Sequence, residues 1–201
     1  MAFGVAHGTA ILARPVFRAV YGKVIQMKGI VFTEFVDMVD ARFSADMVDD
    51  IIDDAVLPSG GAYTAVGTYD HAELVALVSA LSRRTGVAVP DLVRAFGRHL
   101  FGRFHAGYPR FFEGLTGAVP FLAGIEDVIH AEVLKLYPDA QLPRFECTVL
   151  PDGLAMVYRS PRHFDDLALG LIEGAVAHWG GGYAIAREDV GEGTRFTLTR
   201  L

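Results

Sequence analysis

The order of helices and strands is decided by residues 126–162, which read EDVIHAEVLKLYPDAQLPRFECTVLPDGLAMVYRSPR. In the first part of this stretch, apolar side chains recur at helical spacing as far as Tyr137, and Pro138 then ends the predicted helix. From Phe145 onward the period falls to two residues, and Pro151-Asp152-Gly153 predicts a hairpin turn. The stretch therefore predicts one helix followed by two antiparallel strands.

Patterns on either side of this stretch complete the predicted fold. Towards the N-terminus, apolar residues at helical spacing predict four helices, near residues 31–38, 47–55, 70–86 and 90–104. Asp70 is the predicted N-cap of the third helix, and Gly86 is its predicted end. Towards the C-terminus we predict a helix over about 164–179 and strands near 183–188 and 194–201. Helices first and an antiparallel sheet later is the pattern of the α+β class.

The composition argues against a nucleic-acid binder and against a membrane protein. The 201 residues include 18 basic and 24 acidic side chains, a net charge of -6, whereas nucleic-acid binders concentrate positive charge. No uncharged apolar run reaches the length of a membrane-spanning helix. Cys147 is the single cysteine, and the phosphate-loop, dinucleotide, nucleophile-elbow and zinc-protease motifs are absent. We therefore expect a soluble, cytoplasmic protein.

Residues 1–26 differ from the rest of the chain. They contain three basic residues, Arg14, Arg18 and Lys23, and no acidic residue, and regular amphipathic spacing begins only at Met27. A secretory leader would place its basic residues before its apolar stretch, not after it. We interpret residues 1–26 as an extension outside the domain, such as an upstream start codon would produce. The alternative is a short surface helix over residues 10–24.

One histidine of the predicted helix faces the same way as the apolar side chains. His130 lies three, four and seven residues before Val133, Leu134 and Tyr137, which places all four on one helical stripe. An imidazole that faces a core needs a partner, and either a hydrogen bond or a metal ion meets that need. Both interpretations remain open from this spacing alone.

The end of the predicted hairpin carries a second polar pattern. In an extended chain the side chains of Tyr158, Ser160 and Arg162 point to one side, two residues apart. Two hydroxyl groups and a guanidinium are suited to binding carboxylates, although an ordinary polar strand end gives the same pattern. Together, a metal-binding imidazole and a carboxylate site are what a buried haem requires.

These two features, 28 residues apart, resemble the H-NOX or haem-NO-binding family, to which the sensor domain of soluble guanylate cyclase is related. Similar stretches are residues 27–30, 73–97, 108–112, 130–144 and 169–174. The resemblance implies a single domain over residues 27–201 that binds haem b. Its helical part would cover about 27–125, its helix-and-sheet part about 126–201, and the haem would be buried between them.

The resemblance also implies a role for individual residues. His130 would be the proximal ligand of the haem iron, and Tyr158, Ser160 and Arg162 would bind the haem propionates. Pro143 would press on the haem and distort it from planarity. Six apolar residues would form the distal wall, against which a gas binds: Val31, Phe35, Leu100, Phe104, Leu167 and Leu171.

The distal wall sets the expected gas selectivity. Oxygen-binding relatives have a tyrosine at the position of Leu167, and its hydroxyl stabilises bound O₂. Because all six distal residues are apolar, we expect binding of NO and CO and exclusion of O₂. A one-residue shift in the alignment would put His99 or Phe101 in the place of Leu100, and His99 is a hydrogen-bond donor.

The implied function is that of a bacterial gas sensor, not of an enzyme. We expect NO to weaken the bond between iron and His130, so that the helical part rotates against the rest of the domain. A separate histidine kinase or diguanylate cyclase would read the change. The alternatives are an O₂-binding sensor of the same fold and a haem-free module for a small apolar ligand. A haem peroxidase or NO dioxygenase is disfavoured, since the distal wall has no His–Arg pair.

Overall fold

A computed structural model describes residues 25–201. The helices of this part are α1 (Gly29–Arg42), α2 (Ala45–Asp54), α3 (His71–Thr85), α4 (Val89–Gly107), α5 (Ala118–Ala123), α6 (Ala131–Leu136) and α7 (Asp165–His178). Its strands are β1 (Gln26–Lys28), β2 (Thr68–Asp70), β3 (Arg144–Leu150), β4 (Gly153–Arg159), β5 (Tyr183–Asp189) and β6 (Thr194–Arg200). A 3₁₀-helix covers Pro109–Phe111, and a π-helix covers Ile125–His130.

The α+β class predicted from the sequence is confirmed. Strands β3 to β6 form one antiparallel sheet in the order β3-β4-β6-β5. The first two strands form the predicted hairpin, in which Val149 lies opposite Leu154. Helix α7 connects β4 to β5. The helical half therefore comes first in sequence, and two strands, one helix and two more strands follow it.

A second, smaller sheet was not predicted. Strands β1 and β2 are antiparallel, with Met27 opposite Tyr69 and Gln26 opposite Asp70. Each strand has only three residues, too few for a period of two to be recognised. Of the extension predicted over residues 1–26, all but the last two residues lie outside the described residues, as does the alternative helix over 10–24.

The helix predicted to end at Tyr137 is divided into two elements. Residues 125–130 form the π-helix, and α6 begins at Ala131 in the same direction. A π-helical turn takes up one residue more than an α-helical turn, which shifts the stripe of residues that face one way. The predicted stripe is therefore wrong at Leu134, whose exposed fraction is 42%.

The described residues form two apolar cores. The N-terminal core lies among α1 to α4 and includes Phe32, Phe35, Leu77 and Phe96. The C-terminal core lies between the four-stranded sheet, α5 and α7, and includes Leu154, Met156, Ile172 and Phe196. Leu171 of α7 packs against both cores, and α4 contributes Phe96 to the first and Phe101 to the second, so α4 and α7 join the two cores.

Helices α4 and α7 cross in direct backbone contact at two glycines. A Cβ atom on Gly97 would lie 2.4 Å from the carbonyl oxygen of Leu167, and one on Gly170 would lie 2.1 Å from that of Arg94. Real Cβ atoms do not approach backbone oxygens so closely, so only glycine permits this crossing. The crossing joins the helical half to the sheet half.

A methyl group at the crossing is expected to destabilise the fold. We expect Gly170→Ala to lower the free energy of unfolding by about 2–4 kcal/mol, because the two helices must separate to admit it. Thermal unfolding of the purified variant measures the loss. Gly102→Ala is the matched control on α4, since a Cβ there meets no atom within 4 Å. Equal melting temperatures for the two variants would contradict the tight crossing.

Candidate functional site

His130 is the last residue of the π-helix, and its side chain is only 13% exposed. Its Nδ1 atom lies 3.1 Å from Oε2 of Glu126, and this hydrogen bond leaves Nε2 as the nitrogen that could bind a metal. Burial lowers the pKa of His130, while the Glu126 carboxylate acts in the opposite direction. The imidazole is therefore neutral near pH 7, which is the form that binds iron.

Glu126 holds the histidine in place and is absent from the predicted site. Its Oε2 atom also accepts a hydrogen bond of 3.1 Å from the backbone N–H of Phe145, at the start of β3. One carboxylate thus joins the imidazole to the sheet. The spacing of Glu126 and His130, four residues apart on one predicted helix, was the available signal for this pair.

Tyr158, Ser160 and Arg162 come together, but not along an extended strand as predicted. Strand β4 ends at Arg159, and the backbone turns so that the N–H of His163 donates to the carbonyl of Ser160 over 3.2 Å. The hydroxyl of Ser160 accepts from the N–H of Arg162, also at 3.2 Å. This is a serine-stabilised turn, a conformation that Ser followed by Pro favours.

The side chain of Arg162 is partly buried and has no acidic partner among residues 25–201. Its Nη2 atom donates to the carbonyl oxygens of Gln26, at 3.0 Å, and of Gln141. Its Nε atom is buried and has no hydrogen-bond partner. Burial lowers the pKa of Arg162. A buried cation in this state is stabilised by an anion, so the group is suited to a carboxylate.

Tyr158 lies beside this cation. Its side chain is buried, and burial raises the pKa of its hydroxyl, while the Ser160 hydroxyl acts in the opposite direction. The ring of Tyr158 lies 5.4 Å from that of Phe145, which in turn lies 5.9 Å from the imidazole of His130. A continuous row of rings therefore leads from His130 through Phe145 to Tyr158.

The six residues of the expected distal wall all belong to the N-terminal core or pack against it. They come from three helices: Val31 and Phe35 from α1, Leu100 and Phe104 from α4, and Leu167 and Leu171 from α7. Phe35 and Leu100 are fully buried, and the other four are partly buried. None of these six side chains carries a hydrogen-bond donor.

The neighbours of Leu100 on α4 face elsewhere. The Nε2 atom of His99 lies 3.6 Å from the Glu34 carboxylate of α1, and burial lowers the pKa of His99. Phe101 packs in the C-terminal core, with its ring 5.8 Å from that of Phe121. The register of α4 therefore points Leu100 into the N-terminal core.

Pro143 and Cys147 lie near the site, Pro143 just before β3 and Cys147 within it. Pro143 is half-buried and immediately precedes the first residue of that strand. The Cys147 thiol lies 3.7 Å from the carbonyl oxygen of Leu122, and burial raises its pKa to about 11. A thiol with so high a pKa is a poor nucleophile at neutral pH.

The donor set fits haem. A neutral imidazole could provide a nitrogen ligand for iron, and a guanidinium without an acidic partner could provide a positive charge for the propionates. Within residues 25–201, no three side chains of the types His, Cys, Asp and Glu cluster as a metal-binding set. None of the helices in that range has the length and hydrophobicity that crossing a membrane demands.

Comparison with known proteins shows the family of this chain. A model of the haem-NO-binding family matches residues 28–185. No curated protein sequence matches the chain.

Solved structures of several H-NOX proteins have the same fold. The unliganded Fe(II) protein from K. algicida is 36% identical, with a TM-score of 0.82 over 87% of this chain and 97% of that chain. The Fe(II)NO protein from S. oneidensis is 28% identical, with a TM-score of 0.81 over 87% and 99% of the two chains. The Fe(II)CO protein from Shewanella woodyi, bound to IWP-051, is 35% identical, with a TM-score of 0.76 over 87% and 95%.

Proposed function

Because this chain belongs to the haem-NO-binding family, whose members bind haem iron, we propose that it is a gas sensor that takes NO and CO, rejects O₂ and signals to a separate protein. One observation carries the proposal. The largely buried, neutral imidazole of His130 and the Arg162 guanidinium, whose buried Nε atom lacks a partner, occur together with a distal wall that has no donor. The solved H-NOX proteins with NO and CO support the choice of gases.

Each group of the site has a separate part in this function. Bound haem supplies the ferrous iron at which a diatomic gas binds. His130 supplies the protein ligand, and Glu126 fixes the orientation of its ring. Tyr158, Ser160 and Arg162 would bind the propionates, and Pro143 would lie against the porphyrin. The absence of a His–Arg pair from the distal wall disfavours peroxidase and dioxygenase chemistry.

Rejection of O₂ follows from the chemistry of the distal wall. O₂ gains much of its affinity from a hydrogen bond that the protein donates, because it carries partial negative charge when bound. NO and CO bind strongly without such a donor. Val31, Phe35, Leu100, Phe104, Leu167 and Leu171 offer no donor, so they favour NO and CO over O₂.

Signalling requires that gas binding moves part of the fold. We propose that NO would weaken the bond between His130 and the haem iron, which would free the π-helix and α6. Neither element contains a fully buried residue, and the π-helix packs against the C-terminal core only through the partly buried Ile125 and Ile129. The α4–α7 crossing at Gly97 and Gly170 provides a contact about which the helical half can turn. A histidine kinase or diguanylate cyclase would detect this movement, and its activity with and without NO tests the coupling.

The carboxylate-binding role of Arg162 gives a direct test. We expect Arg162→Met to release haem roughly ten- to hundredfold faster, since a lost hydrogen bond to a charged group costs about 1.5–3 kcal/mol. Transfer of haem to apomyoglobin measures the rate. Arg159→Met is the control, because Arg159 forms an ion pair with Glu146 on the surface. Equal release rates from the two variants would refute the proposed role.

A further inference from the structure

Lys28 joins the two-stranded sheet of β1 and β2 to the segment that follows α6. The π-helix and α6 together are called the His130 helix below. Its ammonium lies 2.9 Å from both carboxylate oxygens of Asp139 and 2.9 Å from the hydroxyl of Thr68 in β2. It also lies 5.3 Å from the centre of the Tyr137 ring, in a cation–π contact. Lys28 and Asp139 are 111 residues apart in the chain, so this contact is purely tertiary.

The ammonium of Lys28 is held in a largely buried position. Its side chain is only 15% exposed, whereas that of Asp139 is 65% exposed. The hydrogen bond from Lys28 holds the pKa of Asp139 below its ordinary value. An ammonium with so little exposure needs hydrogen-bond acceptors, and here these come from two separate segments.

A second link joins the same two segments. Arg162 donates to the carbonyl of Gln26 in β1 and to that of Gln141, which follows α6. Residues 137–141 are therefore bound to β1 through two cations, one at each end of the strand. The backbone N–H of Tyr137 donates to the carbonyl oxygen of Val133 over 2.8 Å, so the same segment also caps the C-terminal end of α6.

These contacts hold the C-terminal part of the helix, whereas Ile125 and Ile129 pack its N-terminal part against the C-terminal core. The π-helix and α6 contain no fully buried residue, and Leu134 and Leu136 are 42% and 56% exposed. At the N-terminal end, Glu126 ties the helix to β3. At the C-terminal end, the ties run to β1, and β1 continues into α1 at Gly29 without a loop.

We propose that Lys28 and Asp139 form a latch that fixes the C-terminal end of the His130 helix to β1. Both are positioning residues: they touch neither a gas nor the iron ligand, and they set how readily the helix moves. Because α1 begins directly after β1 and carries Val31 and Phe35, the latch also couples the His130 helix to the distal wall. The latch itself stands on the contacts alone, whereas its consequence for gas sensing rests on the proposed function.

Amide hydrogen exchange of the unliganded, ferrous, haem-loaded protein tests the latch. Lys28→Met keeps the aliphatic stem and removes the charge, and Asp139→Asn keeps the shape. We expect exchange in residues 131–141 to be about two- to fivefold faster in either variant than in the wild type. The double variant is expected to exchange no faster than the single variants, because all three lack the same contact. Because Asp139 is exposed, Asp139→Asn retains the fold even if Lys28→Met does not.

Lys135→Met is the matched control, since Lys135 lies on α6 and pairs on the surface with Glu132. Its exchange is expected to equal that of the wild type. The latch is overturned if Asp139→Asn leaves exchange in residues 131–141 unchanged, or if Lys135→Met accelerates it equally.

A second arm of the experiment adds NO. NO is expected to increase the exchange rate of residues 26–36 in the wild type. The NO-induced change in that rate is expected to be at least twofold smaller in Asp139→Asn. An equal increase in both proteins overturns the coupling to the distal wall. If no gas binds while Asp139→Asn still accelerates exchange in residues 131–141, the proposed function fails and the latch stands.

Discussion

The His130→Gly variant is expected to lose its haem during purification and to recover it when imidazole is added. The variant removes the only protein ligand that we assign to the iron, and the space it leaves matches an imidazole molecule. We expect the Soret absorbance per protein to fall at least about tenfold, and to return with millimolar imidazole. Absorption spectra of the reduced protein with and without imidazole measure both changes.

His163→Gly is the matched control for this experiment. His163 is exposed and has a φ angle of 51°, a conformation that glycine adopts without strain. Its spectrum is expected to equal that of the wild type. A His130→Gly protein that stays red without imidazole would show that another side chain holds the iron.

The His130→Gly protein with bound imidazole also tests whether the bond between residue 130 and iron carries the signal. With imidazole bound, iron is coordinated but no longer joined to the π-helix. We expect the partner kinase or cyclase to behave as it does with NO, in the absence of NO. Activity that equals that of the unliganded wild type would reject the tether as the source of the signal.

Leu167→Tyr is expected to give the protein measurable affinity for O₂. A phenolic hydroxyl in the apolar distal wall would donate a hydrogen bond worth about 1.5–3 kcal/mol, which raises O₂ affinity roughly ten- to hundredfold. The spectrum of the reduced variant in air reports binding. Leu167→Phe is the control, because it adds the ring without the hydroxyl. Identical spectra of the two variants in air would mean that the donor is not what decides O₂ binding.

The helices and the main sheet could be predicted because their signals are local. Asp70 accepts a hydrogen bond of 2.9 Å from the N–H of Ala72, and Gly86 ends α3 with a φ angle of 72°, both as predicted. Caps and turns depend on a few adjacent residues, and amphipathic spacing depends on one face of one element. The hairpin of β3 and β4 followed from the same kind of signal.

The π-helix and the contacts around it could not be predicted in this way. The Glu126 bond to the Phe145 backbone and the Lys28 bond to Asp139 join residues that are distant in the chain. No spacing rule reports such pairs, since they form only once the sheet and the helices are packed. The turn at Ser160 differs from the predicted extended chain, because β4 ends at Arg159 and the Ser160 side chain and carbonyl accept backbone hydrogen bonds beyond it.

The resemblance to the haem-NO-binding family supplied what local patterns left open. From spacing alone, His130 was either a hydrogen-bonded core histidine or a metal ligand. In the structure it has a hydrogen bond through Nδ1, so the two interpretations are compatible. The carboxylate orients the ring that the proposed function requires for iron.

The absorption spectrum of the reduced, haem-loaded protein under argon, air and NO tests the central claim most directly. The account predicts a Soret band that shifts with NO and keeps its argon position on brief exposure to air. A protein that stays colourless after haem is supplied, or a band that shifts reversibly in air as it does with NO, would contradict it.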